Sequence, residues 1–446
     1  MAKKKEAPTN PFVPVEEQPY QIPDNWCWTR MQNIALWGSG GTPSRKNLLY
    51  YKGTIPWIKT GELNDNYIFE TEEHISDDAV AHSNAKLFPV NTIAIAMYGA
   101  TIGKVGILGI EAATNQACAC GIVSSAVYFK YLFYYARSEK DNFVKMGKGG
   151  AQPNISQEII KVHEIPIPPF PEQQRIVSRI ESLFSKLDEA KEKVQAVVDG
   201  FELRKSAILH KAFTGELTER WRNKNNVAFA DWKQVKFGDL GVLERGRSKH
   251  RPRNDPQLFG GKYPFIQTGD VARSGMYVVE HSQSLSEIGM EQSRIFPKGT
   301  LCITIAANIG DVAILTYDCC FPDSVVGFTP NNLTSSKFIY YMMSTIQREL
   351  EANAPATAQK NINLKILNDL KINLPSLSEQ NEIITMLEMF FAQEQQAREA
   401  AEAVLDQIDT MKKAILARAF RGELGTNDPA EEWAGEMVKK LLNEEI

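Results

Sequence analysis

Two stretches of the chain place apolar residues at alternating steps of four and three. The predicted seam positions are Ile176, Ile180, Leu183, Leu187, Val194, Val197 and Phe201, then Ile383, Leu387, Phe390, Val404, Ile408, Met411 and Ile415. Ala190 in the first stretch, and Ala397 and Ala401 in the second, complete the steps, with Glu394 as the one polar residue in the pattern. A period of 3.5 residues is typical of helices that pack together as a coiled coil. The pattern therefore predicts two long helices with facing seams. Packing of each helix on its own globular domain is the alternative, although such a helix usually carries a wider apolar stripe.

A different pattern precedes each of these helices. Residues 21–170 and 231–375 contain short apolar runs separated by Gly, Pro and Asn. Short runs bounded by turn residues predict strands, so we interpret both segments as strand-rich α/β domains. One run, from Thr92, is apolar enough to suggest a membrane span, but it contains four glycines and Lys104. Buried strands joined by glycine turns explain it better, so we expect no membrane partner.

The two halves of the chain repeat one another. The phrase AFTGEL at 212–217 returns as AFRGEL at 419–424, 207 residues later. At an offset of 207 or 208, WIKTGEL (57–63) also matches FIQTGDV (265–271), and IPPFPEQQ (167–174) matches LPSLSEQN (374–381). Collinear matches at a constant offset indicate an internal duplication. Gly215 and Gly422 follow the predicted helices, so we interpret the repeated phrase as a helix terminator.

The duplication divides the chain into seven segments. They are a flexible tail (1–20), a first domain (21–170), a first spacer helix (171–217), a linker (218–230), a second domain (231–375), a second spacer helix (376–424) and a carboxy-terminal tail with a helix expected from Asp428–Pro429 (425–446). A helix over 172–213 would be about 63 Å long. If a pseudo-two-fold axis relates the copies, the helices run antiparallel and hold two similar domains apart. Such an arrangement suits two half-sites on one DNA duplex.

Composition narrows the function without deciding it. The 446 residues are 43% hydrophobic and 23% charged, with a net charge of −4, as in an ordinary globular protein. The six cysteines form no metal or disulfide pattern and no signal peptide is evident, so we expect reduced thiols in the cytoplasm. Ile167 occupies the position where the tetrapeptide of DNA methyltransferases needs Asn or Asp, and there is no phosphate-binding loop. We therefore predict neither catalytic residues nor a metal site.

Together, the repeated PEQQ/SEQN helix entries, the AFTGEL/AFRGEL helix ends, the WIKTGEL strand and the IPDNWCWTRMQNIA start resemble the specificity subunit of Type I restriction-modification enzymes. The resemblance covers residues from about 20 to 425. It implies two target recognition domains, each reading one half of a gapped bipartite site in double-stranded DNA, and an antiparallel coiled coil between them. It also implies a non-catalytic chain that assembles with two modification (methyltransferase) subunits and with restriction (translocase/nuclease) subunits. No cofactor is expected on this chain, whereas S-adenosylmethionine, ATP and Mg are expected on the partners.

Candidate DNA-binding residues lie in segments where the copies diverge or where polar residues follow a strand. In the first copy they are Thr42, Ser44, Arg45, Lys46, Lys59, Thr60, Glu62, Tyr98, Lys104, Lys148, Gln152 and Asn154. In the second copy they are Arg245, Arg247, Lys249, His250, Arg251, Arg253, Gln267, Thr268, Asp270, Asn308, Asp311, Gln359, Lys360 and Asn361. Arg and Lys can neutralise phosphates, and Arg, Gln and Asn can pair with base edges. Solvated loops, tight turns and helix entries are the competing explanations. A coiled-coil scaffold that binds proteins through its globular ends is the alternative function.

Overall fold

The computed structural model describes residues 10–147, 153–249, 252, 254–306, 309–353 and 362–443. These residues form two compact units. Unit 1 joins the chain up to Val194 to everything from Ala403 onward, and unit 2 is Gln195–Glu402. Each unit therefore contains one strand-rich domain and a part of both long helices, which confirms the predicted fold class.

Domain 1 (residues 21–170) contains two sheets that contribute to one buried cluster. In spatial order, the strands of the five-stranded sheet are Ala35–Ser39, Cys118–Val123, Ile93–Ala96, Val105–Leu108 and Asn66–Ile68. The strands of the four-stranded sheet are His74–Ile75, Ile55–Ile58, Ala112–Thr114 and Leu87–Phe88. The helices of the domain are Asp77–Ala81, Phe129–Ser138, Lys140–Met146 and Gln157–Val162. All four residues of Ile93–Ala96 are buried, which explains why this strand is apolar without alternation.

Domain 2 (residues 231–375) repeats this order. Its five-stranded sheet consists of Gly241–Arg245, Val325–Pro330, Leu301–Thr304, Val312–Leu315 and Tyr277–Val278. Its four-stranded sheet consists of Gln283–Leu285, Phe259–Phe265, Cys319–Cys320 and Ile295–Phe296. Its helices are Thr268–Arg273, Glu287–Glu291, Ser336–Asn353 and Leu364–Asn368. The internal duplication read from the sequence is therefore a duplication of the fold.

Each domain joins its long helix through a two-stranded antiparallel sheet. Cys27–Arg30 pairs with Glu164–Ile167 in unit 1, and Lys233–Lys236 pairs with Lys371–Leu374 in unit 2. Spacer helix 1 then comprises Phe170–Asp199 and Phe201–Phe213, and spacer helix 2 is Leu377–Phe420.

A buried Glu–Gln pair lies in the first turn of each spacer helix. In unit 1, Glu172 accepts a hydrogen bond from the Trp26 indole at 2.9 Å. Gln173 donates to the Pro168 carbonyl at 3.0 Å and accepts from the Tyr128 backbone amide at 2.8 Å. Buried polar groups need such partners, so the PEQQ segment fixes the helix to its domain.

In unit 2 the equivalent glutamate, Glu379, has a cationic partner. It accepts hydrogen bonds from Arg222 at 2.8 Å, from the Thr218 hydroxyl at 2.7 Å and from the Trp232 indole at 2.9 Å. The side chains of Arg222 and Glu379 are 8% and 1% exposed, so the ion pair is buried. Arg222 belongs to a short helix, Glu219–Asn225, within the segment that the sequence indicated as a linker.

The spacer helices run antiparallel within each unit. In unit 1, Lys191 pairs with Asp409 at 3.4 Å, and Lys412 pairs with Asp188. In unit 2, Arg204 pairs with Glu394 at 2.7 Å. Residue numbers increase along spacer helix 1 from Asp188 to Lys191, while those of their partners decrease from Lys412 to Asp409. The two helices therefore run in opposite directions.

The predicted seam needs correction at three positions. Val197, Val404 and Met411 are 42%, 38% and 49% exposed, whereas Ile176, Ile180, Ile383, Leu387 and Ile408 are buried. Leu183, Leu187, Val194, Phe201, Phe390 and Ile415 are half-buried. The contacting face of spacer helix 2 passes through Ala401 and Ile408, which the heptad includes, and through Leu405 and Lys412 in place of Val404 and Met411. A strict 3.5-residue repeat drifts around a helix of 3.6 residues per turn, which explains the error.

The ends of the spacer helices pack on the domain encoded by the other copy. Phe420, at the end of spacer helix 2, lies in the core of domain 1, and Leu209 and Ala212 of spacer helix 1 lie in the core of domain 2. Gly215 and Gly422 follow with φ of +82° and +74°, a conformation that glycine adopts most easily. Both spacer helices therefore end at the repeated AFTGEL and AFRGEL segments, as the sequence predicts.

Both terminal segments pack on domain 1. Val13 is 3% exposed and its amide donates to the Trp28 carbonyl at 3.0 Å, so the described part of the predicted flexible tail, residues 10–20, is anchored to domain 1. The ring of Phe12 lies 5.2 Å from that of Trp433. The carboxy-terminal helix is Ala434–Asn443, which begins after the predicted Asp428–Pro429 position, and it buries Val438 in the core of domain 1.

Candidate nucleic-acid interface

The first divergent loop follows the strand Ala35–Ser39 and lies against the turn after Thr114. The Gly41 amide donates to the Thr114 carbonyl at 2.9 Å. A Cβ on Gly40 would lie 2.0 Å from the same carbonyl oxygen, so this close approach requires glycine. The Thr42 hydroxyl contacts the Gln116 side chain. Thr42, Ser44, Arg45 and Lys46 are exposed, as base-reading or phosphate-binding residues should be.

The Arg45 side chain is held by a carboxylate and by two aromatic rings. Its two terminal nitrogens contact the Glu73 carboxylate at 2.5 and 3.2 Å. Its guanidinium lies 4.2 Å from the ring centre of Tyr51 and 5.1 Å from that of Trp57. The Arg45 hydrogen bond holds the pKa of Glu73 below its usual value, so Glu73 is charged at neutral pH.

A second cation shares this carboxylate. The ammonium of Lys59 lies 3.0 Å from Glu73 and 3.1 Å from Glu72. Hydrogen bonding to Glu73, and then to Glu72, raises the pKa of Lys59. We call Arg45, Lys59, Glu72, Glu73 and the ring of Tyr51 the Glu73 cluster.

The carboxylates of the TGE and TGD turns have partners within the protein. Glu62 accepts hydrogen bonds from the backbone amides of Lys59 at 2.7 Å and Glu72 at 2.9 Å, and from the Thr71 hydroxyl at 2.6 Å. Thr60 and Glu62 form one 3₁₀ turn rather than a hairpin. Both oxygens of Glu62 are therefore occupied in the free chain, and its predicted contact with a base stays a prediction.

In domain 2, Asp270 takes the place of Glu62 and is also bound within the protein. Asp270 accepts from the Gln267 amide, the Ser282 hydroxyl and Arg273, each at 2.8 Å. Thr268 and Asp270 lie in the helix Thr268–Arg273, where Asp270 caps the first turn. The Gln267 side chain remains exposed, with its amide nitrogen 2.7 Å from the Gln283 oxygen. Gln267 therefore keeps the exposure that a base contact requires.

The glycine-containing turn of domain 1 is a tight hairpin turn. In domain 1, Gly103 has φ of +75°, and its amide donates to the Ala96 carbonyl at 3.0 Å. Tyr98 is 46% exposed and bridges to Asn154, and Lys104 is half-buried. In domain 2, Asp311 accepts from Gln347 at 2.8 Å. The turn explanation accounts for Gly103, while Tyr98 and Asn154 keep the exposure that a DNA contact requires.

The second divergent loop begins like the first. The Arg247 amide donates to the Phe321 carbonyl at 3.2 Å, and the Arg245 side chain donates to the Asp323 carbonyl. Arg245, Arg247 and Lys249 are exposed. Nine candidates lie outside the described residues: Lys148, Gln152, His250, Arg251, Arg253, Asn308, Gln359, Lys360 and Asn361.

A cavity of about 180 Å³ lies beside this loop, with Arg247, Gln267, Phe259 and Phe265 in its wall. At the corresponding positions of domain 1, Tyr51 and Trp57 pack edge to face at 5.9 Å, and the Trp57 indole donates to the Gly41 carbonyl at 3.0 Å. Phe259 and Phe265 pack edge to face in the same way, at 6.2 Å, but without the hydroxyl and the indole nitrogen that the domain 1 pair carries. The two domains therefore present different surfaces from one scaffold.

Two features are absent from the described part of the chain. No group of three or more His, Cys, Asp or Glu side chains there is arranged to hold a metal ion. In the same residues, no helix combines the length and apolar character needed to cross a bilayer. All six cysteines are buried free thiols, and burial raises the pKa of Cys120 to about 12, so it is protonated at neutral pH.

Sequence reasoning found Arg45 and Lys59 but missed Glu73, Tyr51 and Trp57. Glu73 lies 28 residues beyond Arg45, and strand pairing brings them together, since Pro56 pairs with His74. The sequence did contain a sign that the two aromatic residues matter. Tyr51 and Trp57 correspond to Phe259 and Phe265 at the offset of the duplication, so both copies carry an aromatic pair there.

The fold defines a duplicated protein, in which two strand-rich domains of one scaffold are joined to antiparallel helices and carry divergent polar loops. The family model of the Type I restriction modification DNA specificity domain matches residues 23–198 and 230–403, and the chain belongs to this family.

Several curated relatives are specificity subunits of Type I restriction enzymes. The EcoR124I/EcoR124II subunit of Escherichia coli is 31% identical over 156 residues, which are 34% of this chain and 39% of that protein. The MjaIX subunit of Methanocaldococcus jannaschii is 26% identical over 62% of this chain and 64% of its own length. These alignments span less than two thirds of either relative. The EcoKI subunit of E. coli K12 is 21% identical, over 91% of this chain and 90% of that protein.

Two solved structures share the fold. The HsdS subunit from Thermoanaerobacter tengcongensis has a TM-score of 0.63 and 19% identity, and covers 92% of this chain and 100% of its own. A chain from a study of assembly and conformational transition of the type I R-M system has a TM-score of 0.69 and 19% identity, with 91% and 100% covered.

Proposed function

We propose that the chain is the DNA-specificity subunit of a Type I restriction-modification complex, and that each domain reads one half of a gapped, bipartite target. The supporting observation is one scaffold built twice with different surfaces. Arg45 lies over Tyr51 and Trp57 in domain 1, whereas Phe259 and Phe265 leave a cavity beside the second loop. Divergent loops on a common framework suit two different half-site sequences.

The chain reads DNA and leaves the chemistry to its partners. Two modification subunits supply the methyltransferase, with S-adenosylmethionine as cofactor, and restriction subunits supply the translocase and nuclease, with ATP and Mg. The complex acts in the cytoplasm. With a net charge of −4, the isolated chain binds DNA only moderately, and partner subunits add further phosphate contacts.

The test is gain of a methylation motif. The chain and its modification subunits are expressed in a host that lacks the system, and methylated adenines are mapped across the genome. We expect one new gapped, two-part motif that disappears when the chain is omitted. A scaffold that binds only proteins would create no motif, and that result would refute the proposal.

A point variant sharpens the test. Arg45→Ala should relax or change one half of the motif and leave the other half and the gap unchanged, because each wrong base pair typically costs about 1–3 kcal/mol. The matched control is Arg220→Ala, an exposed arginine of the helix Glu219–Asn225 outside both domains. Arg220→Ala should leave both halves unchanged.

A further inference from the structure

One carboxylate in domain 1 holds two predicted DNA-binding cations at once. Glu73 contacts the Arg45 fork at 2.5 and 3.2 Å and the Lys59 ammonium at 3.0 Å. The fork contact uses both terminal nitrogens of Arg45. These are the donors that a bidentate pair with a guanine or a phosphate would use. In the free chain Glu73 therefore occupies the position of a DNA acceptor.

The arrangement is more constrained than an ordinary surface ion pair. Exposed pairs contribute little because two long side chains must be immobilised. Here the Arg45 guanidinium is already restrained by the Tyr51 ring at 4.2 Å, and the Glu73 side chain is only 28% exposed. The Trp57 amide donates to the Glu73 carbonyl at 2.9 Å, which fixes the backbone beneath the carboxylate.

We propose that Glu73 is a specificity-determining residue, a placeholder that keeps Arg45 and Lys59 from DNA until a matching half-site supplies a better partner for the Arg45 fork. The inference rests on the proposed function. Non-specific DNA offers phosphates but no guanine at the required position, so binding there gives up the Glu73 contacts for an acceptor that is not positioned for the fork. A guanine at the correct position replaces the fork contact, which makes discrimination a difference between two competing acceptors.

The neighbouring Glu72 provides a matched control. It carries the same charge next to the same lysine, at 3.1 Å, but its side chain is 77% exposed and contacts Lys59 rather than Arg45. Glu72→Gln and Glu73→Gln change the net charge equally, so a difference between them reports the release of the Arg45 fork.

The experiment measures binding of the full chain in complex with its modification subunits. The probes are a duplex carrying the mapped motif and a scrambled duplex of equal length, each titrated with salt. Each additional phosphate contact steepens the slope of log K against log salt by about 0.9. We expect Glu73→Gln to bind the scrambled duplex roughly tenfold more tightly, with a slope steeper by up to about 2. Glu72→Gln should change the slope by less than about 0.5, because Glu73 still holds both cations.

Two further measurements separate specificity from folding. Glu73→Asp keeps the charge and should stay close to wild type in its preference for the motif. A third duplex, altered only in the half read by domain 2, should be rejected equally by wild type and Glu73→Gln. Equal behaviour of the Glu72 and Glu73 variants, or an unchanged salt slope, would overturn the inference. Failure of the wild-type complex to prefer any motif would instead refute the proposed function.

Discussion

Phe420 tests whether the end of spacer helix 2 stabilises domain 1. The side chain is 2% exposed, and its ring lies 5.3 Å from that of Tyr131 and 5.0 Å from that of Tyr135, both nearly perpendicular. Phe→Ala in a core costs about 3–5 kcal/mol. The two edge-to-face contacts place this site in the upper part of that range. We expect Phe420→Ala to lower the free energy of unfolding of unit 1 by about 4 kcal/mol, or roughly a thousandfold in the opening equilibrium.

Hydrogen exchange can locate this loss. Amides of Ile93–Ala96 report on unit 1, and amides of Leu301–Thr304 report on unit 2. Phe420→Ala should accelerate exchange in the first strand and leave the second unchanged. The matched variant is Phe213→Ala, whose half-buried ring lies 5.5 Å from Phe338 in unit 2 and should cost about 2 kcal/mol there. Equal acceleration in both strands, or a loss below about 1 kcal/mol in unit 1, would refute the reasoning.

Three other substitutions test a buried ion pair, a buried carboxyl group and a glycine with positive φ. Arg222→Ala leaves Glu379 buried without its cation and should destabilise unit 2 by about 3–5 kcal/mol in a denaturant titration. Glu172→Gln keeps an acceptor for the Trp26 indole but removes a buried charge. Because burial raises the pKa of Glu172, wild-type stability falls as pH rises from the ordinary value of 4.5 through the folded value. Glu172→Gln should therefore be the more stable protein at neutral pH, by an advantage that vanishes below about pH 4 in thermal melts. Gly422→Ala should lower stability by about 1–3 kcal/mol, because φ is +74° and the new Cβ would lie 2.5 Å from Pro23.

Controls for these three variants lie in the same chain. Adding Glu379→Gln to Arg222→Ala removes the unpaired charge but keeps an acceptor for the Thr218 hydroxyl and the Trp232 indole. The double variant should recover most of the stability lost in Arg222→Ala, and no recovery would argue against a buried-charge effect. A pH-independent difference between Glu172→Gln and wild type would contradict the titration argument. Gly215→Ala should be milder than Gly422→Ala, because its new Cβ meets the ring of Phe229, a side chain 51% exposed that can move.

Much of the fold was readable from the sequence because the duplication marked it. Segments such as WIKTGEL and FIQTGDV repeat because their strands carry the buried residues Trp57, Ile58, Phe265 and Ile266. The seam was less readable, since apolar character alone does not reveal which of two adjacent helical positions faces the partner. Val404 satisfies the heptad yet is exposed, while half-buried Leu405 lies in the contact.

The candidate site was only half readable. Arg45 and Lys59 were visible as cations in polar segments, but their shared partner depends on strand register. The pairing of Ile55 with Ile75 places Glu73 beside residues far from it in sequence. The sequence around Glu73 does not predict that contact, because glutamates are common in polar loops.

The end of each spacer helix packs on the domain encoded by the other copy, which suggests how such a chain could have arisen. Unit 1 is completed by residues from Ala403 onward, and unit 2 contains the end of spacer helix 1. An ancestral chain of half this length, with one domain and one helix, would have lacked a second helix to cover its core. Pairing with an identical copy would have supplied it, so the ancestor would have been a symmetric dimer. Duplication and fusion of its gene would then have allowed the two halves to diverge, which under the proposed function would turn a symmetric target into an asymmetric one.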